Sequence, residues 1–586
     1  MFFKRLPFLA ALAIGGQLAL TFAGTAKMPE AVPNTFSGAF LAGQTAQADG
    51  DLDGTVAFFE KALAFQPDDD RLRETLMLAL FARGDFDAAL PHAERLKTVA
   101  ESERFSRLAL GVDALRNGRF KDSRNWLKLA LESDLDILIT RVMVAWAWAG
   151  EGDEAEALKV IDGLEGPEWY ALFKNYHRGL IAEFGGLEGE AEESLRKAAA
   201  DVATGAATPD VYLRAVEAWA RFLARKGDKA EALAVLDRAE DFPVSRQMFK
   251  ALRERIAAGG KEPPLFAEAR EGAAEILQNI GAALNREGGE TFVKPYLQLA
   301  LALDPGNDAA LMQLAQAAER QQDAEEAVGF YDRVPAESGL KRIANLQQAL
   351  NQADLDRTKE AVERIEALIT EDPTDIRAYL SLSSVHAAKE NYAGSAAALD
   401  RAIERIPAPT RNDWNVFYQR GIAFERTKQW PKAEADFHKA LQLYPDQPQV
   451  LNYLGYSWID MGINLDKGLD LIRKAVDQRP DDGFIVDSLG WAYFKLGRID
   501  DAVREMERAV SLKPDDPILN DHLGDVYWYA GRRREAVFQW NHARDMKPEA
   551  AILATIEKKL REGLPDTPVK KVENGDSAGE KPKNGG

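Results

Sequence analysis

The sequence of 586 residues contains no cysteine. This absence excludes disulfide bonds, thiolate metal sites, cysteine nucleophiles and lipid attachment through an N-terminal cysteine. Histidine is scarce, with six residues, and none of them forms an H-E-x-x-H pair or lies in a catalytic motif. The sequence also lacks a G-x-S-x-G nucleophile elbow and a phosphate-binding G-x-x-x-x-G-K-[ST] loop. These absences predict a protein that is not an enzyme and that needs no cofactor.

The chain also lacks an excess of positive charge. It has 74 Lys and Arg against 94 Asp and Glu, for a formal net charge of −20. Nucleic-acid binding needs clustered Lys and Arg to neutralise phosphates, so this balance argues against a nucleic-acid partner. At this length the chain exceeds the usual size of one hydrophobic core, which predicts either several domains or a repeat array.

The N-terminus has the pattern of an export signal. Lys4 and Arg5 precede a mostly apolar stretch at 6–22, and small residues follow at 23–26. This order predicts a signal peptide over residues 1–26, cleaved after Ala23 or Ala26. The alternative is an uncleaved membrane anchor, because the apolar stretch approaches the length that spans a bilayer. Both interpretations place the rest of the chain in the periplasm, in the second case held at the inner membrane.

Three residue types recur near the C-terminus with one period. The spacings between successive members are 34 or 35 residues, the period of the tetratricopeptide repeat. The recurring residues are Pro445, Pro480, Pro514 and Pro548; Gly421, Gly455, Gly490 and Gly524; and Ala440, Ala475, Ala509 and Ala543. We expect the glycine where the two helices of a repeat approach most closely, and the proline where the second helix ends. The one extra residue is expected in the turn at 462–467.

Weaker copies of the pattern run back toward the N-terminus. They predict an all-α fold of roughly thirteen to fourteen helix-turn-helix repeats, stacked as a right-handed superhelical solenoid. The predicted organisation is an N-terminal array at 36–240, a C-terminal array at 269–548, a capping helix at 549–563 and a disordered tail at 564–586. Residues 241–268 contain Pro243, Gly259-Gly260 and Pro263-Pro264. They are interpreted either as a hinge between the arrays or as one long loop.

Residues 452–543 resemble a more specific group than repeats in general. The segments Leu454-Gly455-Tyr456, Asp487-Ser488-Leu489-Gly490-Trp491 and His522-Leu523-Gly524-Asp525-Val526-Tyr527-Trp528 are similar to those of bacterial envelope tetratricopeptide-repeat proteins that serve as adaptors of a periplasmic C-terminal processing protease. The resemblance implies a scaffold that binds the protease and its substrates and brings them together. The alternative function is a structural subunit of an envelope secretion or assembly complex. A homo-oligomer is also possible, since terminal repeats can pair with another copy.

The first helix of each repeat is expected to face a concave groove. Residues close to the repeat glycine on this helix then form a candidate groove that binds a peptide or partner, in which aromatic rings supply apolar area and carboxylates or amides hold a guest. The candidates are Asn452, Tyr456, Asp487, Trp491, Asp521, Asp525 and Tyr529. The alternative is that Tyr456 and Trp491 fill the packing between repeats.

One short segment matches a calcium-binding loop. Asp49, Asp51 and Asp53, followed by Gly54 and by Glu60, fit the pattern D-x-D-x-D-G-x5-E. This site would make the protein a calcium-dependent sensor or enzyme. The repeat register competes with it, because it places Glu60 in the middle of a second helix, away from the turn. Calcium is therefore the less favoured interpretation of this segment.

Overall fold

The computed structural model describes residues 33–130, 133–240, 242, 245–286 and 290–565. This part of the chain is α-helical, with one short 3-10 helix and without a strand. Within each of the compact units described below, most successive helices pack as helix-turn-helix pairs, and most pairs contact the next one. The predicted all-α solenoid of helix-turn-helix repeats is thus confirmed for these residues. The predicted signal peptide at 1–26 and nearly all of the predicted tail at 564–586 lie outside the described residues.

The described chain forms two compact units that divide between Leu368 and Ile369. The N-terminal unit comprises the described residues up to 368, and the C-terminal unit comprises residues 369–565. Helix α21 contains the division. The helices up to α21 are α1 (Phe36–Ala48), α2 (Leu52–Phe65), α3 (Asp70–Arg83), α4 (Phe86–Leu96), α5 (Glu103–Arg116), α6 (Phe120–Leu127), α7 (Asp134–Glu151), α8 (Glu154–Asp162), α9 (Tyr170–Phe184), α10 (Glu188–Ala200), α11 (Val202–Ala207), α12 (Pro209–Lys226), α13 (Lys229–Arg238), α14 (Ser245–Met248), α15 (Lys250–Ala257), α16 (Ala269–Arg286), α17 (Glu290–Leu303), α18 (Asp308–Arg320), α19 (Ala324–Arg333), α20 (Lys341–Asp354) and α21 (Thr358–Glu371).

The C-terminal unit continues the same alternation of first and second helices. Its last helix, α32, occupies the segment predicted as the capping helix. The helices are α22 (Ile376–Ala388), α23 (Tyr392–Glu404), the 3-10 helix Arg411–Asp413, α24 (Trp414–Arg426), α25 (Trp430–Leu443), α26 (Pro448–Met461), α27 (Leu465–Gln478), α28 (Gly483–Lys495), α29 (Ile499–Leu512), α30 (Pro517–Tyr529), α31 (Arg533–Asp545) and α32 (Ala550–Glu562).

The repeat glycines lie where the two helices of a pair are closest, as predicted. A Cβ atom on Gly490 would lie 2.8 Å from Met506 Cγ, and one on Gly524 would lie 2.4 Å from Trp540 Nε1. Real Cβ atoms do not approach other atoms this closely, so only glycine fits without rearrangement. The second helix therefore places a large side chain across the first helix at a fixed point.

The extra residue of the repeat that begins at α26 lies in the predicted turn. The connection from α26 to α27 contains two residues in the left-handed region, Gly462 with φ 71° and Asn464 with φ 47°. The corresponding turns of the next two repeats contain one each, Gly497 and Gly531. Glycine and asparagine tolerate this conformation best, which explains why the longer turn contains them.

Residues 241–268 contain the short helices α14 and α15, and hydrogen bonds connect the stretch after α15 to α12. The carboxylate of Glu262, only 3% exposed, accepts a hydrogen bond of 3.0 Å from Arg221 and two of 2.9 Å from Arg255. The division between compact units lies about a hundred residues further along the chain, in α21. A hinge at 241–268 remains a prediction of the sequence.

The helix pair α16–α17 covers the first helices of earlier pairs. Helix α16 packs against α7, α9 and α12, and α17 packs against α3 and α5. A Cβ atom on Gly272 would lie 2.3 Å from the Trp146 ring, and the ring centroids of Phe105 and Tyr296 are 5.9 Å apart. Residues 273–280 of α16 are each at most 1% exposed. The face that these first helices share is therefore occupied by the chain itself.

A buried carboxylate fixes α16 in this position. Glu275 accepts two hydrogen bonds from Arg214, of 3.1 and 3.0 Å, and one of 2.9 Å from the Tyr176 hydroxyl. Burial alone would raise the pKa of Glu275, but Arg214 outweighs it and lowers the pKa below its ordinary value. The carboxylate is therefore ionised at neutral pH and pairs with the buried guanidinium.

The close approach at repeat glycines can be tested within one helix pair, α9–α10. We expect Gly179→Ala to destabilise the N-terminal unit by about 1–3 kcal/mol, because its Cβ would lie 2.7 Å from the Leu195 side chain and 3.0 Å from the Leu195 nitrogen. The matched control is Gly189→Ala, whose Cβ has no neighbour within 4 Å and which should stabilise the helix by up to about 1 kcal/mol. Hydrogen exchange of α9 and α10 measures both effects. Equal effects of the two substitutions would contradict the packing described.

The buried ion pair of α16 can be tested with Glu275→Gln. This change keeps the shape of the side chain but removes the main counter-charge of Arg214 and leaves only Glu217, at 3.2 Å, which should cost about 3 kcal/mol. We expect faster hydrogen exchange throughout α16. The control is Glu363→Gln, which breaks an exposed pair with Lys359 in the same unit and should leave exchange unchanged. Unchanged protection of α16 in Glu275→Gln would show that the ion pair does not hold this helix.

Candidate functional site

The candidate groove residues lie on the consecutive first helices α26, α28 and α30. Relative to the repeat glycine they occupy three positions, which we call −3, +1 and +5. Position −3 holds Asn452, Asp487 and Asp521; position +1 holds Tyr456, Trp491 and Asp525; position +5 holds Tyr529. On any first helix the same positions are counted from the residue equivalent to the repeat glycine. We call the surface that they form, together with the position six residues before that residue, the first-helix face.

The starts of these helices are fixed by side-chain caps. Asp482 Oδ1 accepts hydrogen bonds from the backbone nitrogens of Phe484 and Ile485 before α28. Asp516 Oδ1 caps α30 in the same way, and Pro517 stands at the first helical position, where its missing N–H costs nothing. Because α28 and α30 both begin seven residues before their repeat glycine, the predicted residues of the two helices lie at equivalent positions.

Burial separates the candidates into two groups. Asn452, Asp487, Asp521 and Asp525 are 5%, 1%, 8% and 9% exposed, whereas Tyr456, Trp491 and Tyr529 are partly exposed. Burying a carboxylate is unfavourable unless it is paired and hydrogen-bonded. The acidic members of the candidate groove therefore need partners inside the protein, and the structure supplies them.

Asp487 pairs with a histidine of the following repeat. His522 Nδ1 lies 3.1 and 3.0 Å from the two carboxylate oxygens of Asp487, and the Trp491 ring stacks on the imidazole at 4.4 Å between centroids. Burial alone would lower the pKa of His522, but the carboxylates of Asp487, Asp521 and Asp525 outweigh it and raise the pKa above its ordinary value. The imidazole of His522, between a carboxylate and an aromatic ring, joins α28 to α30.

Asp521 and Asp525 hold the last helix. Lys559 of α32 donates to both oxygens of Asp521 at 2.8 Å and to Asp525 Oδ2 at 2.8 Å, and Trp540 donates to Asp525 Oδ1 at 3.0 Å. Burial raises the pKa of Asp525 to about 6 despite the lysine. These two predicted groove residues thus bind a helix of the same chain.

Asn452, Tyr456, Trp491 and Tyr529 form the remaining part of the candidate groove, and the Tyr529 ring packs against Phe494 at 5.5 Å between centroids. Asn452 Oδ1 and Trp491 Nε1 are buried atoms without a hydrogen-bond partner among the described residues. Lys495 Nζ lies 5.7 Å from the Trp491 ring centroid and 3.5 Å from Asp460 Oδ1. The partly exposed rings of Tyr456 and Trp491 can receive the apolar groups of a guest.

Sequence reasoning missed His522 and Lys559 as members of this cluster. A signal for the histidine was present, because two successive repeats carry Asp at −3 and a buried row of carboxylates requires cations nearby. Lys559 had no such signal, since it reaches Asp521 from 38 residues further along the chain.

The calcium loop predicted at the N-terminus is not assembled. Asp51 is the N-cap of α2, where its Oδ1 accepts from the Gly54 nitrogen at 2.8 Å, and Asp53 pairs with Arg83 at 3.3 Å. Glu60 lies in the middle of α2 and Asp49 at the end of α1. Over the described ranges there is no group of three or more His, Asp or Glu side chains placed to hold a metal ion.

Membrane anchoring has no candidate in the described part of the chain. Of the helices placed there, none combines the length and the apolar character needed to cross a bilayer. The predicted anchor falls in residues 1–26, outside this part.

Comparisons with known proteins support the repeat assignment. Models of the tetratricopeptide repeat match residues 294–339, 346–409, 414–447 and 487–516. TPR repeat-containing protein PA4667 of Pseudomonas aeruginosa is 30% identical over 200 residues, which are 34% of this chain and 33% of that protein. Protein O-mannosyl-transferase TMTC1 of Homo sapiens is 26% identical over 188 residues, which are 31% of this chain and 20% of that protein. The matched stretches thus span a third or less of these relatives.

Among solved structures, the APC/C hetero-tetramer Cut9–Hcn1 contains a chain that is 14% identical to this one. It covers 91% of this chain and 97% of its own length, with a TM-score of 0.36. The matched repeats are typically non-catalytic scaffolds for protein–protein interaction.

The raised pKa of His522 predicts a pH dependence. A group whose pKa is higher in the folded than in the unfolded chain stabilises the fold fully below its ordinary pKa of 6.5, and this contribution disappears as the pH rises through the folded pKa. We therefore expect the protection factors of the α28 and α30 amides to exceed those of a His522→Gln variant by more at pH 6 than at pH 8.

The direct measurement is an NMR titration of the six histidines. His522 should titrate above the ordinary value and Asp487→Asn should lower it, because the nearest carboxylate is lost. The buried His177, whose pKa burial lowers to about 4, is an internal reference of opposite sign. A His522 that titrates at or below the ordinary value would contradict the pairing.

Proposed function

We propose that this chain, in which four stretches match models of the tetratricopeptide repeat, is an adaptor of the bacterial cell envelope that binds a periplasmic protease and its substrates. The proposal rests on the resemblance of residues 452–543 to such adaptors and on the signal-like residues 1–26. The mechanism is multivalent binding: two proteins held on one scaffold meet at a high effective concentration. A scaffold of this kind needs no catalytic residues of its own.

The observation that carries the proposal is the difference between the two first-helix faces. In the N-terminal unit α16 and α17 cover the face of α3, α5, α7, α9 and α12, and Glu275 pairs with Arg214. In the C-terminal unit Tyr456 of α26 and Trp491 of α28 remain partly exposed. Guests therefore bind the first-helix face of α26 and α28, and the other partner binds elsewhere on the scaffold.

The net charge sets the kind of partner. With a formal net charge of −20, the chain attracts proteins with basic patches and repels nucleic acid and anionic lipid. Periplasmic enzymes that act on the cell wall are candidate substrates.

The test is a reconstituted proteolysis assay. The chain without residues 1–26 is mixed with a periplasmic C-terminal processing protease and a cell-wall hydrolase from the same organism. An adaptor that binds both should accelerate cleavage, and the rate should pass through a maximum as the chain is added, because excess scaffold binds the two proteins separately. The control is an unrelated acidic tetratricopeptide-repeat protein.

Two results would contradict the proposal. One is a cleavage rate that the chain leaves unchanged at every concentration. The other is recovery of the chain, after mild crosslinking, in a membrane complex of fixed stoichiometry without a protease. That outcome would favour a structural subunit of an envelope secretion or assembly complex.

A further inference from the structure

The outward side of α31 differs from that of the two second helices before it. Helix α31 packs against α30 through the buried residues Ala536, Trp540 and Ala543, so its opposite side faces outward. The outward residues at equivalent repeat positions are Arg534, Phe538, Asn541 and Asp545 in α31; Asp500, Arg504, Glu507 and Ser511 in α29; and Asp466, Asp470, Arg473 and Asp477 in α27. We call the four residues of α31 the outward stripe. Of the three helices, only α31 has an aromatic ring there.

The ring of the outward stripe is strongly exposed. Phe538 is 68% exposed, the highest fraction among the large apolar side chains of the described residues, and the neighbouring Val537 is 39% exposed. The Phe538 ring stacks on His542 at 6.3 Å between centroids, which keeps it on the surface of α31. Removing such a ring from water is favourable, so the outward stripe gains free energy when another surface covers it.

The outward stripe has the spacing of a coiled-coil seam. Its residues are separated by four, three and four positions, which correspond to alternating d and a positions of a heptad. When two identical helices pack antiparallel about a twofold axis, each a position faces a d position of the other helix. Phe538 of one copy then packs on Asn541 of the second copy, beside the axis.

The charges of the outward stripe complement each other in this arrangement. Arg534, at one end, is exposed, and the side chain of Asp545, at the other end, is 65% exposed, with one oxygen 2.7 Å from Arg544. The twofold axis brings Arg534 of each copy opposite Asp545 of the other, and Glu535 opposite His542. An interface between identical copies needs this self-complementarity. An anionic lipid surface would instead meet both carboxylates, so the charges favour a second copy.

We propose that two copies of this chain associate through the outward stripe of α31, with the two helices antiparallel about a twofold axis. The inference goes beyond the proposed function and does not depend on it. Because the contact uses a second helix, the first-helix face of α26 and α28 stays accessible in both copies. One helix from each copy makes a small interface, below about 1,200 Å² in total, so we expect a dimer that forms in the micromolar range or above.

The first test is crosslinking of the full chain through a single thiol. Because the chain has no cysteine, Asn541→Cys introduces the only one. In the proposed dimer the two thiols lie beside the twofold axis, so a short bis-maleimide should join two copies, with a yield that rises with protein concentration. The control is Glu507→Cys, at the equivalent position of α29, which should give only background product.

Charge reversals locate the contact. Arg534→Glu and Asp545→Arg, each added to the thiol variant, bring like charges together and should each weaken association at least about tenfold. An equal mixture of the two variants should recover the crosslinked product, because each copy then supplies the charge that the other lacks. Arg504→Glu, which makes the same charge change on the outward side of α29, is the control and should associate as the parent does. Circular dichroism confirms that each variant is folded.

Three results would overturn the inference: no product above background at any concentration, product that neither single reversal reduces, or a mixture that does not recover. A chain that stays monomeric but binds phosphatidylglycerol vesicles, and loses that binding in Arg534→Glu, would also overturn it and would assign the outward stripe to a lipid surface. All of these outcomes are separate from the adaptor role, because the proteolysis assay measures that role without reference to α31.

Discussion

Each helix pair depends on the close approach of its two helices at one small residue. At Gly421 the second helix brings the ring of Phe437 within 2.6 Å of where a Cβ would stand, and at Gly455 it brings the backbone oxygen of Gly468 within 2.7 Å. This contact fixes the rotation of the first helix relative to the second. The residues three before and one after it consequently point to the same face in successive pairs, which is why one register describes helices far apart in the sequence.

Buried charges decide what covers that face. An ionised group inside a protein is tolerated only when its partners are in place, so a charged side chain from one helix specifies its position on another. Glu275 specifies α16 through Arg214, and Lys559 specifies α32 through Asp521. His522 and Asp487 use the same principle between neighbouring repeats. Apolar packing alone would not distinguish these placements, because alanine and leucine recur in all the repeats.

The repeat pattern predicted the helix pairs, the glycine contacts and the site of the extra residue, because these depend on interactions within about 35 residues. The position of α16–α17 could not be read in the same way. Gly281 and Ala300 mark it as an ordinary repeat, and its contacts with α3 and α5 span well over a hundred residues. Glu275 was the available hint, since it interrupts an apolar run without an obvious partner nearby. The candidate groove residues were placed on the correct helices, but the burial of Asp521 and Asp525 depends on α32, which their spacing does not reveal.

Helices α16 and α17 fill the face of the first helices α3, α5, α7, α9 and α12 in the N-terminal unit, whereas the first-helix face of α26 and α28 in the C-terminal unit is open. Because the chain has no cysteine, a single introduced thiol reports on one site without interference. The measurement is the rate of maleimide labelling of Ala273→Cys in α16 and of Asp460→Cys at +5 of α26. The account predicts that Asp460→Cys reacts in the native protein and that Ala273→Cys reacts only after unfolding. Equal rates at the two positions under native conditions would contradict it.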